Sequence, residues 1–169
     1  FLLIALPSEQ IYVNFASAAL LGAALGYLPW NFSSSHKIFM GDSGSMTAGF
    51  VLSAVALGTS YSQVNPLGVY APLFILLVPM YDTFYVMAIR LRKGQSPFLG
   101  SKDHFALRLE ALGFDRHQIV ALAAMAAGLL SLCAFIVTRV AWVWSGLIYA
   151  ILVAELAVLT RAISRIEMK

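Results

Sequence analysis

The sequence contains few charged residues and a single cysteine. Only 11% of its 169 residues are charged, whereas 60% are apolar. A soluble globular domain is roughly 45–50% apolar and about 25% charged, so lipid must face much of this chain. The net charge of +3 is too small to indicate binding to nucleic acid. Because Cys133 has no partner in the chain, an internal disulfide is excluded, and we expect a buried, inert thiol.

The chain also lacks a soluble segment, a low-complexity linker and an internal repeat. Five apolar runs reach the ~20 residues that cross a ~30 Å hydrocarbon core. They cover residues 11–28, 45–61, 69–91, 118–138 and 141–163. The apolar stub before Pro7 is expected to be the end of a truncated span, so that the chain is the C-terminal part of a longer protein. We predict an all-α, polytopic transmembrane bundle that forms one domain over residues 1–169.

The basic residues predict how this bundle lies in the membrane. Arg139 is the only Lys or Arg in one set of alternating loops. The other set holds ten: Lys37, Arg90, Arg92, Lys93, Lys102, Arg108, Arg116, Arg161, Arg165 and Lys169. Because basic loops stay inside, we predict that residues 31–42, residues 90–117 and the C-terminus are cytoplasmic.

A first polar candidate is Asp42, which lies between Gly41 and Ser43 at the start of the second apolar run. Asp and Ser are preferred helix N-caps, but a cap does not require the neighbouring glycines. Alternatively, the glycines let backbone amides approach an anion at the helix N-terminus while Asp42 holds a divalent cation. Mg²⁺ commonly takes one or two protein carboxylates and completes its shell with water and substrate phosphates. Composition leaves both interpretations open.

A second candidate is the basic loop that contains His104 and Arg108. These residues are four positions apart, so a helix would place them on one face. The bidentate fork of Arg and the exchangeable proton of His suit a pyrophosphate. The alternative is a basic loop attracted to anionic lipid headgroups. That alternative is preferred for the other cations of the loop: Arg90, Arg92, Lys93 and Lys102.

A third candidate, Asp82, lies inside an apolar run, about 12 Å along the helix from Arg90. An ionisable residue at that depth indicates function or a structural partner on another helix, and both stay open. Pro72 and Pro79 are predicted to kink the same span. Glu155, within the last run, is equally undecided between a partner in the bundle and a position near the outer surface.

Three motifs in this order resemble the polyprenyl-phosphate N-acetylhexosamine-1-phosphate transferases, glycosyltransferase family 4. The run Phe39-Met-Gly-Asp-Ser-Gly-Ser45 is similar to the family's Phe-Met-Gly-Asp-x-Gly-Ser motif, and Pro79-Met-Tyr-Asp-Thr83 resembles its Pro-x-x-Asp-Thr. His104-Phe-Ala-Leu-Arg-Leu109, with Leu112-Gly-Phe and Gln118 after it, resembles the loop that carries the family's histidines. The resemblance covers about residues 20–120.

The resemblance implies roles for five residues. Asp42 matches a catalytic Mg²⁺ ligand (Mn²⁺ being an alternative ion), Phe39 an aromatic residue against uracil, and Asn31 a polar residue near the nucleotide. His104 and Arg108 match residues that contact the diphosphate or assist proton transfer. In the implied reaction, the phosphate of undecaprenyl or another polyprenyl phosphate attacks the β-phosphorus of a UDP-sugar. UMP leaves, and a lipid-linked sugar that starts a cell-envelope polysaccharide remains in the bacterial inner membrane.

Two departures from the family pattern accompany this resemblance. Ala106 and Leu107 stand where many relatives have histidines, and the family's paired acidic residues on an earlier loop are absent from the 169 residues. We therefore expect this chain alone to be inactive. The alternatives are an inactive relative with a scaffolding role, and a transporter fragment with Asp82 and Glu155 on its path. The sugar, the polymer and the formation of a homodimer stay open.

Overall fold

The computed structural model describes residues 1–6, 10–97 and 104–164. Every regular element within those ranges is helical, which confirms the predicted all-α class. The elements are α1 (Leu2–Ala5), α2 (Ile11–Phe32), α3 (Gly41–Gly58), a 3₁₀-helix (Pro66–Tyr70), α4 (Ala71–Ile75), α5 (Leu77–Arg92), α6 (Phe105–Ala111), α7 (Arg116–Val137) and α8 (Trp142–Ser164). They form two compact units, Phe1–Gln63 and Val64–Lys169. The assignment of the chain to one domain stays a prediction.

The number of candidate spans differs from the predicted five. Three helices in the described residues are long and apolar enough to cross a membrane: Ile11–Phe32, Arg116–Val137 and Trp142–Ser164. A fourth crossing exists if Pro66–Ile75 and Leu77–Arg92, which meet at 71°, form one broken span. The remaining predicted span corresponds to α3. The first turn of α3, Gly-Asp-Ser-Gly, is polar and lowers the mean hydropathy of the helix below that of the three candidate spans.

The first unit is a hairpin of α2 and α3. The side chain of Gln10 donates to Ser60 Oγ at 3.1 Å and accepts from the Ser60 amide at 3.2 Å, so the start of α2 meets the end of α3. The first apolar run was predicted to end at residue 28, but α2 continues through Pro29 to Phe32. Transmembrane helices tolerate an internal proline. No residue of α2 is buried within the chain, as a helix that faces lipid requires.

The second unit is fastened at one end by buried Asn65. Its Nδ2 donates to the carbonyls of Val137 and Val140 at 2.8 and 2.7 Å, and its Oδ1 accepts from the Gly68 amide at 3.0 Å. Ser145 Oγ also donates to the Val137 carbonyl, at 3.1 Å. The last carbonyls of a helix have no partner within it, so these bonds satisfy the end of α7 and join it to the 3₁₀-helix.

Aromatic residues join α8 to the broken span. The hydroxyl of Tyr149 donates to the Leu67 carbonyl at 2.7 Å, and its ring stacks on Phe74 with centroids 4.8 Å apart. Further along, Tyr81 donates to Thr160 Oγ1 at 3.2 Å. These contacts hold α4, α5 and α8 together.

Cys133 on α7 was predicted to be buried, but it is only half-buried.

The predicted kink in the third apolar run is a break at Leu76, which separates α4 from α5. Proline has no N–H, so Pro79 cannot donate to the Ile75 carbonyl, and its ring clashes with that carbonyl in a continuous helix. Both constraints disappear when Pro79 lies in the first turn of a new helix, which is where α5 places it. The break brings polar backbone into the middle of this run.

Candidate active site

The second unit brings together Asp82 and His104, two residues from separate motifs. Asp82 Oδ2 lies 2.7 Å from His104 Nδ1, and Asp82 Oδ1 accepts from the Phe105 amide at 2.9 Å. The carboxylate therefore binds the N-terminal end of α6, where unpaired N–H groups attract negative charge. His104 stays 47% exposed while Asp82 is 22% exposed, so the outer edge of the imidazole remains accessible.

Local sequence explains why a short helix follows His104. Gly113 ends α6 with φ of 94°, a left-handed conformation that glycine adopts without steric cost. Asp115 and Gln118 then form a capping box at the start of α7, with the Asp115 amide 3.0 Å from Gln118 Oε1. Asp115 is therefore a helix cap. Both signals confine α6 to two turns between α5 and α7.

Arg108 does not share the exposure of His104. It is only 5% exposed, its Nη1 donates to the Ile163 carbonyl at 3.3 Å, and its guanidinium lies 5.5 Å from the centre of the Tyr85 ring. Arg108 thus links α6 to α5 and α8. Its predicted contact with a diphosphate stays a prediction.

Arg90 is also buried, which corrects our preference for a lipid-headgroup contact. It is 6% exposed, and its Nε and Nη1 have no hydrogen-bond partner in the part of the chain that the structure describes. Arg92 and Lys93 are exposed, as the headgroup interpretation requires, and Lys102 lies outside the described residues. A buried charge is costly without a partner, so the surroundings of Arg90 differ from those of the exposed Arg92 and Lys93.

In the first unit, Asn31 holds the loop that leads to Phe39. Asn31 Nδ2 donates to Tyr27 Oη at 2.6 Å and to the Ile38 carbonyl at 3.2 Å, and Tyr27 donates to the same carbonyl at 3.1 Å. The Ile38 amide returns a bond to the Trp30 carbonyl at 3.2 Å. The segment before Phe39 is therefore tied to the last turns of α2, and the amide of Asn31 is engaged within the protein.

Phe39 itself is 76% exposed. The ammonium of Lys37 lies 5.1 Å from the centre of its ring, a cation–π arrangement. This surface combines an aromatic ring with a positive charge, and a planar base that carries phosphates complements both.

Asp42 is exposed in the first turn of α3, whose N-cap is Met40. Within the described ranges its carboxylate makes no hydrogen bond or ion pair, so the helix-cap interpretation does not hold for Asp42. Gly41 has φ of 63°, and a Cβ on Gly44 would lie 2.6 Å from Met40 Cγ. Both glycines thus have conformational reasons: one turns the chain, and the other makes room for Met40.

Among the described residues, Asp42 is the carboxylate that could hold a metal ion at this position. The structure places no group of three or more His, Cys, Asp or Glu side chains together in the residues that it describes. Mg²⁺ does not need such a group, because it retains water and binds substrate phosphates. The exposed carboxylate of Asp42 is the type of oxygen donor that Mg²⁺ prefers, so this residue fits the ion.

An apolar cavity of about 300 Å³ lies against α6. Helices α5 to α8 all contribute to its wall, and Phe105, which follows His104, is one of the lining residues. The others are Leu77, Val78, Tyr81, Leu109, Leu122, Ala123, Ala126, Leu130, Leu156, Leu159 and Ile163. Apart from the Tyr81 hydroxyl, whose partner is Thr160, these side chains carry no polar group.

Two of these contacts were not foreseen from the sequence. The first is the hydrogen bond between Tyr27 and Asn31. These residues are four positions apart on one helix, a spacing that places their side chains next to each other, so the sequence could have predicted this contact. The second is the contact between Asp82 and His104. A carboxylate within an apolar span requires a partner, so the sequence indicated that Asp82 has one but not that it is His104. Glu155 is exposed on α8 and remains undecided.

The fold defines an all-α membrane protein, with three or four candidate membrane spans in the described residues. The family model described as Glycosyl transferase family 4 matches residues 1–60. Curated relatives agree with this match, so the chain is similar to members of that family. No solved structure matches.

Two curated relatives illustrate the similarity. The undecaprenyl-phosphate alpha-N-acetylglucosaminyl 1-phosphate transferase of Escherichia coli K12 is 34% identical over 116 residues, which cover 67% of this chain and 32% of the relative. A probable undecaprenyl-phosphate N-acetylglucosaminyl 1-phosphate transferase of Bacillus subtilis is 31% identical over 143 residues, 85% of this chain and 39% of the relative. The chain thus spans roughly a third of the length of these curated relatives.

Proposed function

We propose that this chain takes part in the transfer of an N-acetylhexosamine-1-phosphate from a UDP-sugar to a polyprenyl phosphate, with release of UMP. The observation that supports this proposal most directly is Asp42, which is exposed and has no side-chain partner among the described residues. It follows the exposed Phe39 by three positions, within the 60 residues that match the family model. The names of the relatives support the same class of reaction. We place the reaction at the cytoplasmic face of a bacterial inner membrane, because the basic loops flank these residues.

The donor end of the proposed reaction uses the first unit. The Phe39 ring can stack on uracil, and Asn31 holds the loop in position through the Ile38 carbonyl. The amides at the start of α3 and the ammonium of Lys37 attract the diphosphate. Asp42 would hold Mg²⁺, which when bound neutralises charge on the transferring phosphoryl group.

The acceptor end uses the second unit. The apolar cavity beside Phe105 suits a segment of a polyprenyl chain, because its wall has almost no polar group to leave unsatisfied. His104 directly precedes Phe105, a residue of the cavity wall, and about half of its side chain is exposed, so its imidazole can bind the lipid phosphate. A hydrocarbon tail in the cavity therefore leaves its phosphate near a proton-exchanging group.

The assay uses membranes that carry the product of the whole open reading frame, since the chain spans about a third of its relatives. UMP release is measured with added UDP-N-acetylglucosamine, undecaprenyl phosphate and Mg²⁺. We expect Asp42→Asn to lower turnover by about 100-fold or more, the usual loss when a charge-stabilising group is removed. Asp115→Asn makes the same chemical change at a helix cap where Asn is equally good, so it should keep normal turnover.

Normal turnover by Asp42→Asn would overturn the assignment of Asp42. A wild-type protein that releases no lipid-dependent UMP would instead favour the inactive relative.

A further inference from the structure

We propose that Asp82 is a positioning residue that holds His104 as its Nδ1–H tautomer and leaves Nε2 as the proton acceptor of the site. The geometry is the 2.7 Å contact between Asp82 Oδ2 and His104 Nδ1, together with the 2.9 Å bond from the Phe105 amide to Asp82 Oδ1. The catalytic part of this proposal rests on the proposed transferase function, whereas the tautomer does not.

An ionised carboxylate can only accept hydrogen bonds, so the proton between Asp82 and His104 belongs to the imidazole. A neutral imidazole carries one N–H, and with Nδ1 protonated the lone pair lies on Nε2. The second carboxylate oxygen is occupied by the Phe105 amide. Asp82 is therefore held by two bonds and fixes both the tautomer and the orientation of the ring.

The exposed Nε2 edge can then remove a proton from a phosphate monoester. In the proposed step, Nε2 takes the proton of the P–OH group of the lipid phosphate as that phosphate's oxygen forms a bond to the β-phosphorus. The bond between the β-phosphorus and the bridging oxygen breaks, and UMP leaves with its electron pair. The imidazolium, stabilised by Asp82, later returns the proton to water.

A purely structural role for Asp82 makes a different prediction. The carboxylate also anchors the start of α6 through Phe105, and that anchor alone could explain its presence. Asp82→Asn separates the two roles. The Asn oxygen can still accept from Phe105, while its NH₂ group can only donate to Nδ1, which moves the ring proton to Nε2. The anchor stays and the tautomer reverses.

The experiment combines ¹⁵N NMR of ¹⁵N-histidine-labelled protein, produced from the whole open reading frame, with UMP-release kinetics. The His104 signals are assigned by their loss in His104→Gln. We expect Nδ1–H in the wild-type protein and Nε2–H in Asp82→Asn, whose kcat falls about 100-fold or more. Its KM for UDP-N-acetylglucosamine should change less than about threefold, since this group acts on the chemical step.

Glu110→Gln is the matched control. It makes the same change on α6, where Glu110 is 48% exposed and faces Arg116 at 3.9 Å, and it should alter neither the tautomer nor kcat. An Nε2–H ring in the wild-type protein overturns the proposal. This measurement needs no variant, so it decides the proposal even if Asp82→Asn does not fold. Wild-type kcat in Asp82→Asn also overturns it. If the wild-type protein releases no UMP, the transferase function fails while the NMR signals still decide the tautomer.

Discussion

Single residues at the end of α2 organise the predicted nucleotide surface. Asn31 and Tyr27 both bind the Ile38 carbonyl, so the position of Phe39 depends on side chains that need not touch a substrate. The resemblance places Asn31 near the nucleotide. In the structure, Asn31 can influence nucleotide binding indirectly, because it holds the loop that carries Phe39.

We expect Asn31→Ala to raise the KM for UDP-N-acetylglucosamine by about 5- to 10-fold with little change in kcat. The reason is the loss of a hydrogen bond worth about 1 kcal/mol that holds the loop. Steady-state UMP release measures both constants. Tyr12→Phe, on the same helix and 90% exposed, is the control. A fall in kcat with unchanged KM would show that Asn31 acts on the chemical step instead.

Gly41 is the residue whose backbone conformation the site requires. Its φ of 63° disfavours a side chain by about 1–2 kcal/mol, so Gly41→Ala should destabilise the start of α3. Gly22→Ala, in the open interior of α2, should gain up to about 1 kcal/mol from helix propensity. Thermal unfolding in detergent compares the two variants, and equal midpoints would contradict this account of Gly41.

At the scale of elements, long apolar runs were predicted well. The ends of α7 and α8 lie within two residues of their expected positions, because a continuous apolar run leaves little choice of structure. The break at Leu76 was foreseen only as a kink, since its place depends on which carbonyl loses its donor to Pro79. The polar start of α3 makes that helix less apolar than its central run suggests.

Asn65 is the joint between the 3₁₀-helix and α7. Asn65→Ala should cost about 1–3 kcal/mol, because it removes the donor to the Val140 carbonyl and one of two donors to the Val137 carbonyl, the other being Ser145 Oγ. Denaturant unfolding in detergent measures the loss. Exposed Gln63→Ala is the control, and a comparable small change in both variants would show that water replaces the Asn65 amide.

For the whole molecule, composition and charge predicted a membrane-embedded helical protein, and the motifs predicted its similarity to glycosyltransferase family 4. They could not predict which polar residues meet. Asp82 and His104 are 22 positions apart, and only the packing of α6 on α5 joins them. Burial of Arg90 and Arg108 was equally hidden, because a cation near the end of a span has the same sequence pattern whether it faces headgroups or protein.

The charge distribution predicts a testable orientation. In a Cys133→Ala background, Ser62→Cys should react with a membrane-impermeant maleimide in intact cells. Ser35→Cys should react only in inverted membrane vesicles, because basic loops remain cytoplasmic. Both serines are exposed. The reverse pattern of labelling would contradict the cytoplasmic location of the loop before Asp42.

The central claim is tested most directly by following each phosphorus atom of the donor. Membranes with the product of the whole open reading frame receive undecaprenyl phosphate, Mg²⁺ and UDP-N-acetylglucosamine labelled with ³²P at either the α or the β position. Attack on the β-phosphorus predicts that β-label enters the organic-soluble lipid while α-label stays in aqueous UMP. If α-label enters the lipid, or if neither label does, the proposed transfer is contradicted.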